Sequence, residues 1–317
     1  MAVVSTIQAD LERQLGRRVL GLDSIPEGHS GFTYWVDLEG GERAVLRLPP
    51  PGARIAGPAD IPRQGRLMKA LSEAGLPAPA ILAMSDQPVV DGRPFVLMAK
   101  IEGERIENIV GTVPDLQLAS SAVEVLKGLH AMPVARTGIG DEEPQPLEAE
   151  LMRWAWLMER APEELTQRAP RLGGKLAETR PAPHSPTLVH GDYHYGNMLF
   201  REGRVVGVLD WEIAQIGQPL LDLGCLCVVS ARRKYPHAPD PGGGIEVSLE
   251  DLYRLYGVSA DEMRWYLAMS LYKYASIFGY NLMLHRRGKR PDPMYEGLTD
   301  TITGMIADGI ALLGKGA

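Results

Sequence analysis

Asp192, Asn197 and Asp210 carry the side-chain oxygens that phosphoryl transfer requires, and they lie in one stretch, HGDYHYGNMLFREGRVVGVLDWE. A carboxylate followed, after four intervening residues, by an asparagine can set a proton acceptor beside a metal ligand, the pairing that phosphoryl transfer uses. Asp192 sits in a polar loop just after the apolar pair Leu188-Val189, where it can orient the proton of an attacking hydroxyl. The amide oxygen of Asn197 is a hard, uncharged ligand suited to magnesium, and Asp210, at the end of an alternating apolar run, adds a charged one. Singly, Asp and Asn are ordinary turn residues; together, with a hairpin between them, they make a site. His190 is placed to fix the loop by hydrogen bonds, and His194 to face substrate or solvent. Asp222, in PLLDLG, falls where a helix begins after a loop and reads as a cap or loop brace. A zinc or di-metal hydrolase built on His190, Asp192, His194 and Asp210 is the alternative chemistry.

The elements that must position these groups change character along the chain. The first residues read as a helix with Ser5 and Gln8 spaced as a capping box and Gly16 as its stop. From Leu20 to Ile101 the sequence is strand-rich: 32–38 and 43–48 are β-prone runs joined at Glu39-Gly40-Gly41, and 88–98 is a hairpin turning at Asp91-Gly92. One helix, Pro62 to Ala74, is inserted after a Pro/Gly loop and ends at Gly75. Beyond Gly103 the period is helical at Pro114 to Met132, 146–166 and 249–284. The catalytic segment interrupts these helices as a hairpin turning at Glu202-Gly203. The expectation is an α+β chain with two lobes, 1–101 for nucleotide binding and 102–317 for catalysis and the acceptor.

The 317 residues allow two packed lobes, and 45% apolar with 23% charged residues is the composition of a globular protein. A net charge of -7 argues against a sequence-independent grip on nucleic acid or an anionic membrane. The two cysteines, Cys225 and Cys227, lie in an apolar run and read as buried hydrophobes in a reducing compartment. No secretory signal is legible at the start, so a cytoplasmic location is expected. Trp265 to Leu284 is interrupted by Lys273 and reads as a buried helix rather than a membrane span.

These motifs resemble the aminoglycoside phosphotransferase family of small-molecule kinases, relatives of the protein kinases. HGDYHYGN is similar to their catalytic loop, VLDWE to their metal-binding strand end and QPLLDLG to the bracing segment. The runs LRLPPPG and VLDWEIAQIGQPLLDLG look closer still to the kinase-like regions of large acyl-CoA dehydrogenases and their stand-alone bacterial relatives. The resemblance covers nearly the whole chain. It implies a bilobal protein-kinase-like fold, with a small antiparallel sheet and one helix in the N-lobe and a larger, mainly helical C-lobe. It implies ATP, or GTP, with Mg2+, and transfer of the γ-phosphate to a hydroxyl of a small molecule. By position it makes Asp192 the catalytic base and Asn197 and Asp210 the magnesium ligands. Ser30, Gly31 and Phe32 match the nucleotide loop, and the backbone from Met98 to Ile101 matches the adenine hinge.

Two positions depart from that pattern. The phosphate-binding lysine is replaced by Arg47, and its helix glutamate by Gln64. Arginine binds phosphate bidentately but is not interchangeable with lysine, so a catalytically silent nucleotide-binding module is the alternative function. For the acceptor, the acidic run Asp141 to Glu150 suits a cationic aminoglycoside. The basic runs Arg232-Arg233-Lys234 and His285 to Arg290 suit the phosphates of a hydroxyacyl-CoA. The Tyr- and Met-rich helix at 265–284 is either core or the wall of an acyl pocket.

Overall fold

The computed structural model describes residues 2–25, 32–231 and 245–314. The chain divides into two units: Met1–Gly103 with Pro133–Asp141 and Val206–Ala214, and the remainder, Glu104–Met132, Glu142–Val205 and Gln215–Ala317.

The first unit is built on α1 (Ala2–Leu15), β1 (Val19–Ser24), β2 (Phe32–Leu38), β3 (Arg43–Leu48), α2 (Ile61–Glu73), β4 (Ile81–Val90) and β5 (Arg93–Ala99). The strands form one antiparallel sheet in the order β1-β2-β3-β5-β4. Alternation in β2 and β3 buries Val36, Leu38, Ala44, Leu46 and Leu48, which pack with Ile7 and Leu11 of α1 into one apolar cluster. The β4–β5 turn has Asp91 at φ 49 and Gly92 at φ 65, the paired left-handed residues that an Asp-Gly hairpin supplies.

Three expectations about elements need correction. Ser5 lies inside α1, so no capping box forms there; Gln8 instead donates its side-chain N–H to Val19 O at 2.7 Å. The expected helix at 146–166 is two, α5 (Leu147–Met158) and α6 (Glu163–Thr166), separated before Pro162, a residue that cannot continue the backbone bonding. The expected helix at 249–284 is also two, α9 (Leu249–Tyr256) and α10 (Ala260–Arg286). Gly257 ends α9 at φ 94, and Ser259 and Glu262 start α10 with a reciprocal capping box.

The second unit also contains β6 (Glu104–Arg105), α3 (Ile106–Ile109), α4 (Asp115–Ala131), α7 (Ala169–Glu178), β7 (Thr187–Val189), β8 (Met198–Arg201), β10 (Gln215–Gly217), α8 (Leu220–Ser230) and α11 (Thr299–Leu312), while β9 (Arg204–Val208) begins in this unit and ends in the first. Glu202 (φ 53) and Gly203 (φ 74) make the turn between β8 and β9. α10 is buried along most of its length, including Lys273. Among the described residues no helix is long and apolar enough to cross a membrane.

Candidate active site

The loop that carries Asp192 follows β7 and is held by α8. Gly191 takes φ 87, a left-handed conformation that lets two successive backbone N–H groups turn toward one carboxylate. That carboxylate is Asp222, in the first turn of α8, which accepts from His190 N at 2.7 Å and Gly191 N at 2.8 Å. His130 Nε2 approaches Asp222 at 3.4 Å, and its other ring nitrogen meets the Tyr256 hydroxyl at 2.7 Å. The ring of His190 turns back on its own loop, with Nδ1 accepting from Asp192 N at 3.2 Å. Tyr193 donates to Ala122 O at 2.7 Å. The two residues that the sequence offers as braces, His190 and Asp222, are therefore both bonded to the loop that carries Asp192.

Asp192 is 29% exposed at its side chain, open enough for a substrate yet walled by charge. Tyr274 donates its hydroxyl to Oδ1 at 3.0 Å, and Lys273 Nζ lies 3.9 Å from the same oxygen. His194 Nε2 lies 3.3 Å from Oδ2. Burial by itself raises the carboxyl pKa, but His194, Lys273 and His190 outweigh it and hold the group well below the usual carboxylate range. Asn197, at the end of a short 3₁₀ turn, donates Nδ2 to Asp192 O at 3.0 Å and meets His194 Nε2 at 3.2 Å. Its amide nitrogen is thus used within the loop, and the amide oxygen points to the other side of the planar group.

Lys273 and Tyr274 are the site residues that the sequence reading places in the core of α10 and gives no chemistry. The legible signal is Lys273 itself, a charge inside an apolar helix, which must find compensation when buried.

The remaining predicted residues lie in the first unit. Asp210 is at φ 62, rare for a residue with a β-carbon and concentrated where function holds strain. Two residues on, Glu212 Oε2 is buried without a hydrogen-bond partner. A buried carboxylate oxygen of this kind is satisfied by an ordered water or an ion, and the hard oxygens of Asp210 and Glu212 are of the type that magnesium takes. Arg47 on β3 donates Nη1 to Gln64 Oε1 at 3.0 Å, and Gln64, 1% exposed on α2, donates Nε2 to Pro58 O at 3.0 Å. Arg47 and Gln64 are thus in direct hydrogen-bond contact. Phe32 opens β2, with the Arg93 guanidinium 5.1 Å above its ring. Met98 lies in β5 opposite Val45 and Ile81, and Ile101 follows the strand end. Ser30 and Gly31 lie outside the described residues.

The charged runs weighed for the acceptor fare differently. In the acidic run, Glu150 is buried and accepts from Trp154 Nε1 at 2.6 Å and Gln215 Nε2 at 3.0 Å, while Glu148 lies 3.5 Å from Arg180. In the basic run, Arg286 is bonded to Glu164 and Glu296 and Arg290 to Asn281. Arg287 and Lys289 line a groove of about 450 Å³ with Arg160, Tyr280 and Glu159. Arg232, Arg233 and Lys234 lie outside the described residues.

With this geometry in place, the comparisons with known proteins can be stated. The model of the phosphotransferase enzyme family matches residues 22–257. Acyl-CoA dehydrogenase family member 10 of Mus musculus is 27% identical over 274 residues, covering 79% of this chain and 25% of that protein. The chain therefore spans about a quarter of the length of that curated relative. Among solved structures, a candidate aminoglycoside phosphotransferase from Ralstonia eutropha JMP134 superposes with a TM-score of 0.77 at 20% identity, covering 98% of both chains. A thermostable mutant of aminoglycoside phosphotransferase APH(4)-Ia, in ternary complex with AMP-PNP and hygromycin B, gives 0.68 at 15% identity, covering 99% of this chain and 100% of that one. At these identities the two structures speak to the fold alone.

Proposed function

The chain belongs to the phosphotransferase enzyme family, and on that premise we propose that it transfers the γ-phosphoryl group of ATP or GTP to a hydroxyl of a small molecule. The observation that carries the proposal is the Asp192 carboxylate, 3.9 Å from the buried Lys273 ammonium, in a loop that Asp222 braces, five residues before Asn197. Asp192 accepts the proton of the acceptor hydroxyl and aims its oxygen at the phosphorus. Asn197 and Asp210 are the residues that would hold magnesium, which supplies charge neutralisation on the nucleotide phosphates. Arg47, held by Gln64, contributes a fixed guanidinium to the phosphates. Phe32, with Ser30 and Gly31, covers the nucleotide, and the backbone between Met98 and Ile101 receives its base.

For the acceptor, a hydroxylated acyl-CoA-like metabolite is favoured over a polycationic antibiotic. The carboxylates Glu148 and Glu150 are already engaged, whereas Arg287 and Lys289 face a groove. The name of the curated relative agrees in kind. The Arg47–Gln64 contact favours a second reading, a nucleotide-binding module without turnover.

A screen of hydroxyacyl-CoAs, aminoglycosides and sugars with ATP and GTP, followed by phosphate transfer to the acceptor, separates these readings. Asp192→Ala is expected to lower kcat by on the order of a hundredfold or more while nucleotide still binds. Turnover at the unmutated rate in that variant would remove Asp192 from the mechanism, and absence of any transfer by the parent protein would leave the silent module.

A further inference from the structure

Lys273 is the buried cation that the reaction as described does not use. Its side chain is 5% exposed, halfway along α10. An ammonium in such a place persists only where oxygen compensates its lost hydration. Nζ donates to Gly191 O and lies 3.9 Å from Asp192 Oδ1. The rest of its surroundings are Cys225 Sγ at 3.5 Å and the rings of Trp154 and Tyr274, 5.0 and 5.4 Å from the ammonium.

Each element around Lys273 brings titratable groups. α5 contributes Glu150, α8 contributes Asp222 and Cys225, α10 itself contributes Tyr274, and the catalytic loop contributes His190, Asp192 and His194. Two of the three carboxylates are committed elsewhere: Glu150 to Trp154 and Gln215, Asp222 to the backbone N–H groups of His190 and Gly191. Among the described residues, Asp192 is the carboxylate within ion-pair distance of Lys273. The neighbouring Tyr274 donates to the same oxygen at 3.0 Å. Oδ1 thus faces two groups of α10, the Tyr274 hydroxyl at 3.0 Å and the Lys273 ammonium at 3.9 Å, while Oδ2 faces groups of its own loop, His194 at 3.3 Å and Asn197 Nδ2 at 3.5 Å.

Resting on the phosphotransferase reading, we propose that Lys273 and Tyr274 are positioning residues that anchor Oδ1 of Asp192 to α10 and the Gly191 carbonyl, leaving Oδ2 as the oxygen that receives the acceptor proton. A carboxylate on a loop has two free torsions; two contacts from a buried helix fix both. Misplacing a reacting group by about 1 Å costs on the order of a hundredfold in rate, which is the scale at stake.

The test compares Lys273→Met, Lys273→Gln, Lys273→Ala and Tyr274→Phe by kcat, KM for each substrate, and melting temperature. Lys273→Met is expected to lose on the order of a hundredfold in kcat with nucleotide KM nearly unchanged. Lys273→Gln, which keeps a donor for Gly191 O, should lose less, and Tyr274→Phe roughly tenfold. Methylammonium should restore part of the turnover of Lys273→Ala, and urea should not, a discrimination that a merely structural lysine would not produce. Parent-level kcat in Lys273→Met, or a loss that tracks unfolding and is not rescued by the amine, overturns the proposal. The pairing also has a readout free of activity: the protected side-chain ammonium resonance of Lys273 should shift in Asp192→Asn. An unmoved resonance rejects the pair even if the parent transfers phosphate, whereas a shifted resonance in a protein without turnover rejects the phosphotransferase reading alone.

Discussion

The Asp192 carboxyl illustrates how neighbours outweigh burial at the scale of one residue. Desolvation raises its pKa, yet His194, Lys273 and His190 bring it well below the ordinary value, about 4. A group whose pKa is depressed by folding stays in its base form until pH falls through the folded value. No protonation of Asp192 should therefore appear between pH 8 and about 5. The measurement is the pH profile of kcat; an acid limb centred near neutrality would mean that another group, or a carboxyl in a different environment, limits the reaction. A second residue-scale prediction concerns Gln64, whose buried amide joins Arg47 to Pro58 O. Gln64→Ala frees the guanidinium and strands Pro58 O, so nucleotide KM should rise roughly tenfold with kcat less affected; an unchanged KM would show that Arg47 needs no anchor. Asp192, Asn197 and His190 were legible as neighbours because they share one short loop, where spacing alone reports proximity. Tyr274 was not, since a helical period says which face a residue occupies and not which distant loop that face meets.

At the scale of elements, the placement of these residues depends on how closely α8 and α10 approach. α8 carries the brace Asp222 and the thiol Cys225, whose pKa burial pushes up to about 11; α10 carries Lys273 and Tyr274. Gly224 makes the approach possible. A β-carbon there would lie 2.4 Å from Ser270 Oγ and 2.8 Å from Tyr266 O. The hydroxyl can rotate away but the backbone oxygen cannot, so Gly224→Ala must push the helices apart. Overpacking of this kind costs about 1–3 kcal/mol. In a chain this long, that corresponds to a fall in Tm of roughly 2–12 °C. A calorimetric Tm equal to the parent's would refute the close approach. The element boundaries were legible where turn chemistry is local: Asp91, Gly92 and Gly203 take the left-handed angles that their types favour, and the turn carries Glu202 into the same region. The two helices read as continuous fail at Pro162 and at Gly257 to Ser259, stop and start signals that the longer apolar period masked. The early start of β4 at Ile81 was missed for a different reason. Its residues Ser85, Asp86 and Gln87 are polar on an edge strand; Ser85 pairs with Phe95 of β5, and the register is irregular from there to Val90.

At the scale of the whole molecule, the chain does not complete one unit before starting the next. The first unit needs Pro133–Asp141 and Val206–Ala214 in addition to Met1–Gly103. These later segments are integral to its packing. Gly138 sits so close to α2 that a β-carbon would lie 2.6 Å from Arg66 O. Val208 N donates to Pro77 O at 2.7 Å, and Arg63 Nη2 donates to Ala214 O at 2.8 Å. A fragment ending at Gly103 would keep the five-stranded sheet but uncover one flank of α2 and lose the bonds from Arg63 to Ala214 O and from Val208 N to Pro77 O. Each lost buried hydrogen bond costs about 1–3 kcal/mol, against a total stability that for a domain is only about 5–15 kcal/mol. Residues 1–103 expressed alone should therefore lack a cooperative thermal transition and give poorly dispersed amide resonances. A sharply melting fragment with dispersed resonances would show that the sheet and its two helices stabilise themselves, and that the later segments are additions to a finished unit. The same interleaving places Asp210 in a segment that the second unit delivers to the first along β9. Insertions at the Glu202-Gly203 turn, where a β-carbon on Gly203 would already lie 2.5 Å from the Gln117 amide, should accordingly lower kcat more than insertions of equal length at Gly40-Gly41, where there is open space around Gly41. Equal losses at the two turns, measured on folded protein, would break the link between this hairpin and the placement of Asp210.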